Sequence, residues 1–139
     1  MAAPVLADTG PLVAFIDRND PAHGWACAQI RELEEPLLTC ESVLSECAHL
    51  ICHFDPAARS LHAMLQSGGL RLAFDLADQT HAVAALMTKY QDVPMSLADA
   101  CLVRMSELHD RSRVFTLDSD FKLYRRNGRQ AIPLLFPAR

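Results

Sequence analysis

The sequence has no C-x-x-C pair, and its five cysteines (Cys27, Cys40, Cys47, Cys52 and Cys101) are odd in number and fall mostly in apolar runs. This excludes a closed disulfide framework and a cysteine zinc site, leaving reduced thiols that fill a core. No apolar run approaches the roughly 20 residues that span a bilayer, so no membrane segment is expected. Asp8 falls too early for the apolar stretch of a secretory signal, so a soluble, cytoplasmic protein is expected. Phosphate-loop and dinucleotide glycine fingerprints are missing, which removes support for nucleotide-cofactor chemistry. Repeats, linkers and low-complexity tracts are missing too. What remains is 139 residues, 50% of them hydrophobic, which reads as a single domain over residues 1–139 with a real core.

A general excess of positive charge is also absent, the formal net charge being -4. The average hides an asymmetry. Residues 1–110 hold 6 basic and 15 acidic residues, whereas residues 111–139 hold 7 basic and 2 acidic, a balance of -9 against +5. An acidic body beside a basic tail suits a protein that seats cations on carboxylates and grips the phosphates of a polyanion. Lys122, Arg125, Arg126 and Arg129 are the tail residues proposed to meet those phosphates.

Strand and helix signals alternate along the chain. The apolar run Pro4–Ala7 is a first strand, and Gly10-Pro11 opens a short helix through about Ile16. Asp20-Pro21 starts a second helix, stopped at Glu35-Pro36, and Leu37–Thr39 is a short buried strand. Glu41 to His53 has one apolar stripe of Val43, Leu44, Cys47, Leu50 and Ile51. A further helix runs from Asp55-Pro56 to Ser67-Gly68-Gly69, and Leu70–Phe74 alternates as a strand. Helices over about Asp78–Tyr90 and Ser96–His109 precede the strand Arg113–Leu117. A helical turn at Phe121–Arg125, a turn at Asn127-Gly128 and a strand over Ala131–Phe136 complete the chain. Strands separated by helices indicate an α/β fold, a central parallel sheet flanked by helices in three layers.

Against this frame four acids stand out. Asp8 and Asp118 each follow directly on a strand, where open α/β sheets form their ligand crevices. Glu46 and Asp99 interrupt apolar helices. Each has a plainer reading. Asp8 and Asp118 suit turns, Glu46 suits a solvent-facing boundary, and Asp99 follows Ser96 at the spacing of a capping box. One geometry uses all four, a pocket for magnesium or manganese, which take oxygen ligands and keep several waters. Asp8, Asp99 and Asp118 are then the metal-facing acids and Glu46 the fourth candidate catalytic residue. Thr9, Thr116 and Asp120 stand beside them in support.

The segments Asp8-Thr9-Gly10, Val43-Leu44-Ser45-Glu46, Met95-Ser96-Leu97-Ala98-Asp99-Ala100 and Thr116-Leu117-Asp118-Ser119-Asp120-Phe121 resemble the four acidic motifs of PIN-domain ribonucleases. The likeness is closest to the small VapC-type members and covers almost the whole chain. It implies a PIN-like sheet, cleavage of RNA dependent on magnesium or manganese, often a homodimer, and the toxin role of a toxin–antitoxin pair. The inhibitor would be a cognate antitoxin protein that enters the acidic groove. An idle PIN-like domain that only binds RNA or protein is the alternative. Glu46, His49 and His53 share one helical face and form a competing zinc constellation, although the H-E-x-x-H pattern is missing.

Overall fold

In the computed structural model, which describes residues 2–52 and 55–138, the strands in chain order are β1 (Val5–Ala7), β2 (Leu37–Thr39), β3 (Leu70–Leu72), β4 (Arg113–Phe115), β5 (Arg125–Arg126), β6 (Gln130–Ala131) and β7 (Leu134–Leu135). Five of them form a parallel sheet in the order β3-β2-β1-β4-β7. β1 is central, with Leu6 opposite both Leu38 and Val114 and Ala7 opposite Phe115. All three of its residues are buried, as a strand covered on both faces requires. From β1 the chain steps outward through β2 to β3, then returns to the other side with β4 and β7. The order therefore reverses between β1 and β4, and a crevice opens beyond their carboxyl ends.

The helices are α1 (Thr9–Ile16), α2 (His23–Glu32), α3 (Glu41–Ile51), α4 (Asp55–Ser67), α5 (Leu76–Lys89) and α6 (Leu97–Leu108). α1 leaves the end of β1 at once. Gly10 permits this, because a Cβ there would lie 3.3 Å from the Cβ of Leu117, just past β4. α6 is the most enclosed, with Ala98, Ala100, Cys101, Leu102, Val103 and Met105 all buried where it meets α3, α5, β1 and β4. Aromatic packing closes the other parts of the core, with Trp25 5.3 Å from Phe115 and Phe121 5.2 Å from Tyr124.

Several boundaries differ from the sequence reading for local reasons. Asp20 accepts a hydrogen bond from the Ala22 amide, so Asp20-Pro21 belongs to a turn and α2 begins only at His23. β3 ends at Leu72 rather than Phe74 because its partner β2 stops at Thr39. The turn after Asp118 is a 3-10 helix over Ser119–Lys122, and Arg125 has already entered β5. The last strand is divided. Ala131 pairs back onto Arg125 in an antiparallel hairpin, while Leu134–Leu135 join the main sheet beyond Pro133. Asn127 and Gly128, with φ of 51° and 81°, make the expected tight turn of that hairpin. Cys40, Cys47 and Cys101 are buried free thiols, Cys27 is half-buried, and Cys52 is exposed. The proposed helix end at His53 lies outside the described residues.

Candidate active site

Asp8 caps α1 and is almost wholly buried. Its Oδ1 accepts from the Thr9 amide at 2.8 Å and its Oδ2 from the Thr116 hydroxyl at 2.7 Å. The Thr116 oxygen in turn accepts from the Asp118 amide at 3.0 Å. One buried hydroxyl, 108 residues from Asp8 in sequence, thus ties the acid after β1 to the acid after β4. Asp118 caps the 3-10 helix through its Oδ1, which accepts from the Asp120 amide at 2.9 Å. Glu46 projects from α3, where its Oε2 accepts from the Thr9 hydroxyl at 3.0 Å. Thr9 and Thr116 therefore both act on the acids.

Asp99 fills two roles. It is the third residue of α6 and completes a capping box with Ser96, the Ser96 hydroxyl accepting from the Asp99 amide at 3.0 Å. Its Oδ2 accepts from the Ser96 amide at 3.4 Å and from the Tyr124 hydroxyl at 2.9 Å. The cap expected from the spacing is real, and Asp99 nonetheless lines the same cleft as the other acids.

That cleft, about 490 Å3, is walled by Asp8, Glu46, Asp99, Asp118 and Asp120, with no Lys, Arg or His among the described residues that line it. Burial pushes the Asp8 carboxyl up to about 6; hydrogen bonds from Thr116 and Thr9 oppose the rise, and the charges of Asp99 and Asp118 add to it. Burial also raises Asp99, against the hydrogen bonds from Tyr124 and Ser96. Tyr124 is driven far above the usual phenol range, first by burial and then by the charge of Asp99, so it remains a proton donor.

A hard divalent cation fits this donor set. Among the described residues Asp99 Oδ1, Asp118 Oδ2 and Glu46 Oε1 engage in no hydrogen bond, and the crowding of like charges is relieved by a cation. Among the described residues no three His, Cys, Asp or Glu stand close enough together to hold a metal ion by themselves. The open arrangement matches an ion that keeps most of its waters and takes one or two carboxylates directly. It does not suit tetrahedral zinc. His49 is exposed, Glu46 is held by Thr9, and His53 lies outside the described residues.

The basic tail is not gathered at the cleft. Arg125 Nη1 donates to the carbonyls of Lys122, Leu123 and Tyr124 and closes off the 3-10 helix. Arg126 Nη1 donates to the Ser106 carbonyl, seven residues along α6 from Asp99, or about 10 Å at the helical rise. Its Nε is buried without a partner among the described residues, for which the structure offers no account. Lys122 is exposed with its Nζ 4.3 Å from the Phe136 ring, and Arg129 is exposed. Sequence reasoning missed Tyr124, the largest fully buried side chain. Its only signal was an aromatic placed three residues after Phe121, next to the last acidic segment.

Comparison with known proteins bears on the family and the fold. A family model described as PIN domain matches residues 5–127. Ribonuclease VapC26 of Mycobacterium tuberculosis is 27% identical over 116 residues, covering 82% of this chain and 86% of the relative. The crystal structure of Mycobacterium tuberculosis VapC20, a sarcin-ricin loop cleaving toxin, superposes with a TM-score of 0.73 at 20% identity. That match covers 86% of this chain and 93% of the other.

Proposed function

This chain belongs to the PIN-domain family, and from that premise we propose that it is a metal-dependent endoribonuclease that hydrolyses RNA phosphodiester bonds as the toxin of a toxin–antitoxin pair. The observation that carries the reading is the cleft of five carboxylates, without a basic counterpart among the described residues, where the sheet order reverses. The VapC relatives, one named a ribonuclease and one a toxin, support it.

Asp8, Asp99 and Asp118 would hold magnesium or manganese, one or two of them directly and the rest through its waters, and the ion would supply Lewis acidity toward the phosphodiester. Of the last two acids Asp118 would take the metal and Asp120 the supporting place, a reading supported by the tie of the Asp118 amide to Thr116 and of the Asp120 amide to Asp118 Oδ1. Glu46 Oε1 would take a proton from attacking water, a role supported by its having no hydrogen bond among the described residues while Oε2 accepts from Thr9. Lys122 and Arg129 offer exposed cations to RNA phosphates outside the acidic cleft. An antitoxin would insert a basic side chain among the carboxylates, where a desolvated charge pair is strong. Homodimerisation and a cytoplasmic location follow from the family reading; among the described residues no helix is long and apolar enough to cross a membrane.

The test is incubation of the purified protein with structured RNAs in manganese or in chelator. Cleavage should require manganese and should fall by orders of magnitude in Asp8→Asn and Asp99→Asn, both remaining folded. Manganese-independent binding without cleavage would instead identify an idle RNA-binding domain.

A further inference from the structure

Resting on the metal-site reading above, we propose that Tyr124 is a positioning residue that sets the Asp99 carboxylate for the cation, so that the folded-back tail completes the metal site. The capping bond from the Ser96 amide to Asp99 Oδ2 is long, at 3.4 Å, and leaves rotation of the carboxylate loosely set. The Tyr124 hydroxyl donates to the same oxygen at 2.9 Å. Both donors fall on Oδ2, so Oδ1 is left to ligate.

The phenol can impose this orientation because the ring cannot move. It is fully buried, and the rings of Tyr90 and Phe121 meet it edge-on at 5.1 Å and 5.2 Å. The Arg125 amide, next along the chain, donates to the Tyr90 hydroxyl at 2.9 Å and pins the backbone on the same cluster. A rigid donor aimed at one oxygen of an acid that faces a cation resembles the partners that orient metal ligands generally. Loss of such partners weakens metal affinity or activity about 10- to 100-fold.

Tyr124→Phe keeps the ring and deletes only the hydroxyl. Manganese titration by calorimetry should show affinity about 10- to 100-fold weaker, with the melting transition in chelator still cooperative and KM for RNA unchanged at saturating metal. In an Asp99→Asn background the same substitution should change manganese affinity by less than about twofold, because a residue acting through Asp99 has nothing left to act on. In metal-free protein the Asp99 carboxyl carbon resonance should move on Tyr124→Phe, while that of Asp75 stays. In the wild type the Tyr124 hydroxyl proton should exchange slowly with water, a reading that needs no variant to fold. Unaltered manganese affinity, an equal loss in the Asp99→Asn background, or an unmoved Asp99 resonance would each overturn the proposal. If the wild type bound no manganese, the metal reading would fall, and the metal-free resonances would still decide whether Tyr124 holds Asp99.

Discussion

Asp8 must be ionised to meet a cation, yet burial favours its neutral acid. The two threonines beside Asp8 offset this only in part, and its carboxyl settles at about 6 against an ordinary 3.8. A carboxyl whose pKa is higher in the folded than in the unfolded state stabilises the fold fully below the unfolded value. That contribution is lost as pH rises through the folded one. For metal-free protein the loss between about pH 4 and pH 6 corresponds to about 3 kcal/mol from Asp8 alone. Asp99, raised by the same cause, acts in the same direction. Thermal melts in chelator should therefore fall from pH 4.5 to pH 7.5, and Asp8→Asn should flatten the fall. Millimolar manganese at pH 7.5 should restore the wild type by mass action and restore the variant much less. A wild-type melting temperature that does not change with pH in chelator would show that Asp8 is as easily ionised as a surface acid.

The elements that carry the acids were legible because their signals are local. An apolar run ended by Asp8, another ended near Asp118, and Ser96 followed three residues on by Asp99 each announce a strand end or a cap without reference to the rest of the chain. The tail was less legible, since its meaning depends on what it folds against. Counting charges marked Arg125 as a phosphate contact, but its guanidinium closes three backbone carbonyls after the 3-10 helix. Pro133 concealed a change of sheet inside what read as one strand, and nothing near Tyr124 indicated a hydroxyl bonded to a helix 25 residues earlier. The capping role of Arg125 has its own consequence. Arg125→Ala should cost about 1–2 kcal/mol, lowering the melting temperature by roughly 3–6 °C, and should leave the salt dependence of RNA binding unchanged. A changed salt slope with an unchanged melt would return Arg125 to the phosphate contacts.

Over the whole molecule, the proposed RNA binding would have to work against an acidic body, with the exposed cations of the tail as its points of attachment. For a single strand each neutralised phosphate contributes about -0.7 to the slope of log affinity against log salt. Lys122→Ala with Arg129→Ala should flatten that slope by about 1.4 in an Asp8→Asn background, where cleavage does not distort the titration. An unaltered slope would make the strip solvated surface only. The Thr116 bridge to Asp8 has a further meaning in the time dimension. The two ends of the site are made 108 residues apart, and no sheet pairing available to the first hundred residues can substitute for β4 beside β1. At ~5–20 residues per second, synthesis of that interval lasts roughly 5–20 s, during which the acids of the cleft cannot yet be gathered in one place. The cleft closes only once β4 lies beside β1 and the segment after it has brought Asp118 and Tyr124 to Asp8 and Asp99.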